Sequence, residues 1–384
     1  MKVLLVSTSS GSRGGGELCL LYLGRALVTR GHEVTLWSST HPRMDELAQQ
    51  FAAIGAVVRA EYANSYDRRG RSIASWLDRA TSRRVAKQWR ALAPDVIHVN
   101  KQNLEDGIDL LRAARSTGIA CLAMIHITQT ARYLRARFSG VRDWVSRRAL
   151  QNFPGLLVTN PESRCRDLLD FIGETPRVRM VPNGVPVLDL AERDRLRPEK
   201  RRELGVGANE RLFVAVGRMV PQKRPLAFLE LAARIHRELP EARFLWVGDG
   251  ELTAEWDAWI ERENMRTVVR RLPWQSAVPP FLAAADVFVH VAKFEGLAFA
   301  ILEALAAGLP CAITPNLLRE MPFLNAGNSI AIEDDDAWLQ PLKDSTRLAE
   351  IGSAAHALAT AQFSFARMAE NYETLYRESM EGAR

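Results

Sequence analysis

A chain of 384 residues with 47% hydrophobic and 25% charged residues has the make-up of a globular protein of two domains, and it excludes a single small module, a disordered chain and a collagen-like chain. No uncharged apolar run reaches the roughly 18 residues that a spanning helix needs, since Asp286 interrupts 278–292 and Gly308 with Pro310 interrupts 304–313. The net charge of +6 is unevenly spread: residues 1–190 hold 27 basic and 17 acidic side chains, and residues 191–384 hold 24 and 28.

The chain opens with Lys2 and only Val3, Leu4, Leu5 and Val6 before polar residues begin, which is too short for the core of a secretory signal. Val3–Ser7 reads as a strand, Gly11–Gly16 as a turn, and Glu17–Arg30 as a helix with Leu20, Leu23, Leu27 and Val28 on one face and Gly31 ending it. Further strands are expected at Glu33–Trp37, Val57–Ala60, Val96–Asn100, Ala120–His126, Leu156–Thr159 and Arg177–Val181. Residues 186–202 are highly charged and contain two prolines, so they read as a linker. The pattern then restarts, with strands expected at Leu212–Val216, Phe244–Val247, Val268–Leu272, Val287–His290 and Cys311–Thr314, and closing helices from Ser345. Short apolar runs alternating with amphipathic stretches, twice over, predict an α/β protein of two Rossmann-like, doubly wound domains with parallel sheets facing a cleft.

Two basic stretches account for the excess charge of the first half. One runs from Arg68 to Arg90 and carries Trp76 and Trp89; the other runs from Arg132 to Arg148 and carries Phe138 and Trp144. Such stretches suit either an anionic membrane surface or a solvated helix face with its aromatic residues in the core. No zinc-finger spacing, RNP-like string or basic heptad pattern points to nucleic acid. Cys19, Cys121, Cys165 and Cys311 are far apart and read as reduced thiols, which suits a cytoplasmic protein.

Three segments carry candidate chemistry. Gly14-Gly15-Gly16-Glu17 lies between a strand and a helix, where glycine lets backbone N–H groups approach an anion. It is neither the G-x-G-x-x-G of dinucleotide sites nor a P-loop, and Trp37-Ser38-Ser39 stands where an NAD site places a carboxylate. A plain tight turn reads equally well. Gly217-Arg218 with Lys223 places two cations past the end of a strand, suited to a diphosphate or to ordinary surface charge. Glu295-Gly296-Leu297-Ala298-Phe299 leads to Glu303, two glutamates eight apart. Gly296–Phe299 is expected to form a first helical turn whose N–H groups hold phosphate oxygens, with carboxylates on either side for sugar or ribose hydroxyls.

With these segments in order, the chain resembles the GT-B-fold retaining glycosyltransferases of family 4 (glycosyl transferases group 1) over nearly its full length. Gly14–Glu17 resembles the family's G-G-x-E, Asp95-Val96-Ile97-His98 its D-V-V-H strand, and Pro182-Asn183-Gly184-Val185 its P-N-G-V-D, with Pro186 in place of the last Asp. Glu295–Glu303 resembles its E-x7-E, with Ala298 in place of a usual glycine, and Phe363-Ser364 with Tyr372 resembles the closing helix. The resemblance implies a first domain of residues 1–186 on the acceptor side, completed by a helix over about 365–384, and a donor domain of 187–364. It implies transfer from a UDP- or GDP-sugar to an acceptor hydroxyl, in polysaccharide or glycolipid synthesis, with no metal and no other cofactor. Arg218 and Lys223 would neutralise the leaving diphosphate, Glu303 would hold the ribose and Glu295 the donor sugar. The amides of Leu297, Ala298 and Phe299 would touch both diphosphate and sugar, with Gly296 beside them. His126 would approach the sugar from the first domain, and Gly15 and Gly16 would close over diphosphate or acceptor. The partners expected are a nucleotide sugar, a lipid-linked or saccharide acceptor and an anionic membrane at its inner face. Two other readings stand beside this one: a GT-B-fold sugar-nucleotide 2-epimerase, which needs no acceptor, and a catalytically degenerate sugar-nucleotide-binding partner.

Overall fold

A computed structural model describes residues 1–10, 14–275 and 277–382. It divides into two compact units, Met1–Gly184 with the last helix, Phe365–Gly382, and Val185–Ser364.

The first unit carries a seven-stranded sheet: β1 (Lys2–Ser7), β2 (Glu33–Ser39), β3 (Ala56–Ala60), β4 (Val96–Asn103), β5 (Ala120–Ile127), β6 (Leu156–Thr159) and β7 (Val178–Met180), in the order β3-β2-β1-β4-β5-β6-β7. Every pairing is parallel. Helices cover both faces of such a sheet, so its central strands carry unbroken apolar runs, and Val3, Leu4, Leu5 and Val6 are all buried. The helix after β1 spans Gly15–Thr29, two residues earlier than expected, so Gly15 and Gly16 form its first turn. Of the expected turn Gly11–Gly16, residues 11–13 lie outside the described residues. Leu20, Leu23 and Leu27 of that helix are buried, whereas Val28 sits at the edge of the stripe and is exposed.

The last helix belongs to this first unit. Its Tyr372 and Tyr376 are fully buried against the His98 ring of β4, and its Glu373 accepts hydrogen bonds from Arg30 (2.6 and 3.2 Å) and lies 2.8 Å from His32 Nε2. The Arg30 bonds, outweighing partial burial and joined by His32, hold the Glu373 carboxyl down at about 2.

The second unit carries β8 (Arg211–Val216), β9 (Ala242–Val247), β10 (Val269–Leu272), β11 (Val287–His290), β12 (Cys311–Ile313) and β13 (Ser329–Ala331), all parallel, in the order β10-β9-β8-β11-β12-β13. Its core packs Phe213, Phe228, Phe244, Trp246 and Trp256 together. The edge strand β13 was not expected, because three residues after a polar turn leave no periodic signal.

The supposed linker 186–202 is instead mostly helix, Leu190–Glu203, capped by Asp189, which accepts from Ala191 N at 3.0 Å. Two of its cations are turned onto the sheet side while most of its other charges stay exposed. Arg197 and Arg201 donate to the carbonyls of residues 283–285 and to Asp286, which in turn accepts from Leu212 N at 2.7 Å. The guanidinium groups thus satisfy the C-terminal carbonyls of the neighbouring helix, Pro279–Ala284, and anchor a helix interrupted by Pro198. A proline in a helix interior costs about 3 kcal/mol, which is why the segment reads as non-helical from sequence.

Candidate active site

In each sheet the strand order reverses beside the first strand of its unit, between β1 and β4 and again between β8 and β11. The crevice past the carboxyl ends of strands at such a reversal is where open α/β sheets bind ligands. The candidate residues fall at these two places.

In the second unit, Gly217 and Arg218 follow β8. Backbone and side-chain bonds staple this loop to the one after β11: Lys293 N donates to Gln222 O at 2.7 Å, and Gln222 Nε2 to Phe294 O at 3.1 Å. The staple brings Lys223 into an ion pair with Glu295, both largely buried. His290 Nε2, at the end of β11, lies 3.3 Å from the same carboxylate oxygen. Burial raises the Glu295 carboxyl, but the Lys223 charge and the His290 contact outweigh it and hold the group at about 2. His290 is pushed below its ordinary value, chiefly by burial. Both groups therefore keep fixed charge at neutral pH, carboxylate and neutral imidazole.

Arg218 is exposed, and its side chain makes no ion pair or hydrogen bond among the described residues. The approach of these loops depends on Gly248, whose φ of +135° is open to glycine and where a Cβ would stand 2.2 Å from Gly217 O. Asp249 shapes the next loop, accepting from Trp274 N at 3.1 Å.

The helix that carries Glu303 begins at Phe299, not at Gly296. No residue of 296–298 has a capping side chain, and glycine is costly in a helix, so Gly296, Leu297 and Ala298 form an approach with Ala298 as N-cap. Leu297, Ala298, Phe299 and Glu303 are buried. Glu303 sits one turn inside this helix, and no side chain caps the helix start.

In the first unit, the start of the Gly15–Thr29 helix is tied to β4. Asn100 Nδ2 donates to Gly16 O at 3.0 Å, and Gln102 Nε2 donates to Glu17 Oε1 at 3.0 Å. A Cβ on Gly16 would meet the Gln102 side chain, at 2.2 Å from Nε2. His126, near the end of β5, lies with Nε2 2.8 Å from Asn100 Oδ1. Because the Asn100 amide nitrogen is spent on Gly16, its oxygen faces the ring, so Nε2 donates and Nδ1 keeps its lone pair. Burial outweighs the Asp106 charge and pulls His126 from its ordinary 6.5 to about 4. Asp106 is itself a hub: it takes hydrogen bonds from Thr8 Oγ1, Gln102 N (2.9 Å) and Asn103 N (3.3 Å), and pairs with the wholly buried Lys101.

Sequence reasoning named Gly15, Gly16, His126, Arg218, Lys223 and Glu295 without their partners. Asn100, Gln102, Gln222 and His290, which bond to these residues or their loops, were not singled out from sequence. His290 and Asn100 stood at strand ends, which was the one available signal. His98 is a core histidine, bonded through Nδ1 to Tyr376 Oη at 2.9 Å, and Asn183 orders its turn by accepting from Asn160 at 3.1 Å.

Residues 13–187 match the family described as Glycosyltransferase Family 4, and residues 197–321 match Glycosyl transferases group 1. A UDP-Gal:alpha-D-GlcNAc-diphosphoundecaprenol alpha-1,3-galactosyltransferase of Escherichia coli is 29% identical over 65% of this chain and 63% of its own length. The chain thus spans under two thirds of that curated relative, and about half (49%) of a glycosyltransferase EpsF of Bacillus subtilis. Among solved structures, Anabaena HepE in complex with UDP and glucose superposes with a TM-score of 0.75 at 20% identity, covering 98% of this chain and 99% of that one. WaaG, a glycosyltransferase involved in lipopolysaccharide biosynthesis, superposes with a TM-score of 0.70 at 17% identity, covering 98% and 99%. The fold is GT-B, and the chain belongs to the group 1 glycosyltransferases of family 4.

Proposed function

We propose that the protein moves a sugar from a nucleoside diphosphate sugar, of the UDP or GDP kind, to an acceptor hydroxyl with retention at the anomeric carbon, in polysaccharide or glycolipid synthesis. The observation that carries this reading is the Lys223–Glu295–His290 cluster beside Arg218 at the strand reversal of the second unit. Lys223 gives one of its three N–H donors to Glu295, which leaves two for phosphate oxygens, and Arg218 has a whole guanidinium to offer. These cations supply the charge that a divalent ion supplies elsewhere, so the proposal needs no metal. Glu295, held as a carboxylate, accepts hydrogen bonds from the donor sugar's hydroxyls, and Glu303 from the ribose. The amides of Leu297 to Phe299 serve the diphosphate.

The bond from the anomeric carbon to the diphosphate breaks, the bond to the acceptor oxygen forms on the same face, and the acceptor's proton passes to the leaving phosphate oxygen. No protein nucleophile is required. His126, neutral and donating to Asn100, offers its Nδ1 lone pair to a hydroxyl, and Gly15 and Gly16 let backbone approach an anion. The relative in Escherichia coli uses UDP-Gal and a diphosphoundecaprenol-linked acceptor, which supports a lipid-linked or saccharide acceptor met at the inner face of the membrane. Among the described residues no helix is long and apolar enough to cross a membrane.

Calorimetric titration with UDP, GDP and ADP in the presence of EDTA tests this. One uridine or guanosine diphosphate is expected to bind without metal. A folded sample that binds none of them overturns the reading.

A further inference from the structure

The two basic stretches of the first unit look alike in sequence and differ in three dimensions. In the first, three of the eight cations are spent on the chain, while Arg69, Arg71, Arg79, Arg83 and Lys87 are exposed without an ion pair among the described residues. Arg68 pairs with Asp78 and Asp109, Arg84 donates to Glu61 O, Arg90 reaches the carbonyls of Ser116 and Thr117, and Trp89 is wholly buried. In the second, only Arg142 is spent, on Glu105. Arg132, Arg135, Arg137, Arg147 and Arg148 are exposed and make no ion pair among the described residues.

The exposed apolar residues set the second stretch apart, with Tyr66 and Leu77 alone beside the first. Ten large apolar side chains are exposed among the described residues, and five of them, Tyr133, Leu134, Phe138, Val141 and Trp144, fall within twelve residues of chain. Phe138 is 73% exposed and Trp144 55%. Such a cluster costs free energy in water and marks a surface that meets something else. The one acidic residue of the segment, Asp143, accepts from Ala131 N (2.7 Å) and Arg132 N (3.1 Å), so a single carboxylate stands against five exposed guanidinium groups. Beside the cluster lies an open cleft of about 340 Å³, lined by Arg132, Arg147, Trp144, Phe171, Thr130 and Asp143, two cations to one carboxylate, with the Arg147 guanidinium 5.2 Å from the centre of the Phe171 ring.

We infer that residues 130–148 form a docking surface for an anionic lipid bilayer: the five apolar side chains enter the headgroup layer, and the five arginines, with the cleft, take lipid phosphates. Charge complementarity selects an anionic partner. The mix of aliphatic and aromatic groups selects a bilayer, because Leu134 and Val141 have no part in stacking on bases, while tyrosine and tryptophan suit the interface between headgroup and tail. The segment leaves the carboxyl end of β5, directly after His126, so docking there holds the His126 end of the sheet near the membrane. This deepens the proposal of a lipid-linked acceptor and rests on it for its purpose; the binding itself does not require it.

Co-sedimentation with phosphatidylglycerol–phosphatidylcholine vesicles, and with phosphatidylcholine alone, tests the inference. The wild-type protein is expected to partition onto the anionic vesicles and to be released by salt. R135A/R137A is expected to weaken partitioning by at least about tenfold, since each basic residue near an anionic surface contributes roughly fivefold, the equivalent of about 1 kcal/mol. R83A/K87A removes the same charge from the first stretch and is expected to change it by less than about threefold. F138S/W144S is expected to release the protein even at low salt while leaving UDP or GDP affinity unchanged. Equal losses in the two arginine and lysine variants, no loss in F138S/W144S, or no preference for anionic vesicles would each overturn the docking surface. Vesicle binding without nucleotide binding would sink the transferase reading and leave the surface standing.

Discussion

Lys223→Ala is expected to weaken binding of the nucleoside diphosphate by about 10- to 100-fold, the equivalent of a charge-assisted contact of about 1.5–3 kcal/mol. The same substitution removes the Lys223 charge from the buried Glu295 and keeps the His290 contact, so the carboxyl rises from about 2 toward the ordinary range. Two consequences separate. Loss of the positive charge weakens phosphate binding at every pH. Loss of the pair destabilises the second unit by about 2 kcal/mol at neutral pH, because the buried carboxylate loses the Lys223 charge that offsets its desolvation. Arg218→Ala isolates the first effect. Arg218 is exposed and unpaired among the described residues, so its removal should move the melting temperature little while still weakening diphosphate binding. Calorimetry with EDTA present, together with thermal melts of both variants, makes the comparison. Wild-type affinity in both variants would remove Lys223 and Arg218 from the donor site.

The strands were largely legible because a sheet covered on both faces must be made of apolar runs, and twelve such runs stand out between polar turns. The glycines and glutamates of the candidate site were legible for a related reason: loops at strand ends carry residue types that a plain connection does not need. What was hidden depended on partners far along the chain. The helix Leu190–Glu203 looked like a solvated linker because the carbonyls that its arginines satisfy lie at residues 283–285. The two basic stretches are alike in sequence, and what separates them, five large apolar side chains left exposed within 133–144, depends on packing that no spacing reveals. The start of the helix at Phe299 was misplaced because the E-x7-E spacing fixes the glutamates but not which residues between them are helical. Likewise, the bond from His126 to Asn100 joins neighbouring strands, and no spacing along one strand reveals it.

Acid is expected to unfold the first unit through its histidines, and His98 gives the clearest case. Its ring is wholly buried, with Tyr376 Oη 2.9 Å from Nδ1, no partner at Nε2 among the described residues, and the rings of Tyr372 and Tyr376 packed against it. Burial, with a smaller push from His126, lowers it from 6.5 to about 3. As pH falls below 6.5 the unfolded chain takes up a proton at this position and the folded protein does not until about 3, so stability declines throughout that window. One such group accounts for a loss on the order of 3 kcal/mol between pH 6.5 and 4. His126, lowered to about 4, acts in the same direction over most of the same range. Replacing His98 alone would orphan the Tyr376 hydroxyl, so the informative variant is His98→Leu with Tyr376→Phe, which removes both partners of the buried bond together. Its stability at pH 7 should lie close to wild type, and its loss on going to pH 4 should be smaller by the contribution of His98. Urea melts at pH 7, 5.5 and 4 read this directly, and parallel pH dependences of wild type and variant would show that His98 takes up its proton without unfolding. The same neutral histidines bear on catalysis. With His126 at about 4 and Glu295 at about 2, neither group titrates near pH 6.5, so the site residues themselves predict a rate that is level from about pH 5.5 to 8 until the fold gives way.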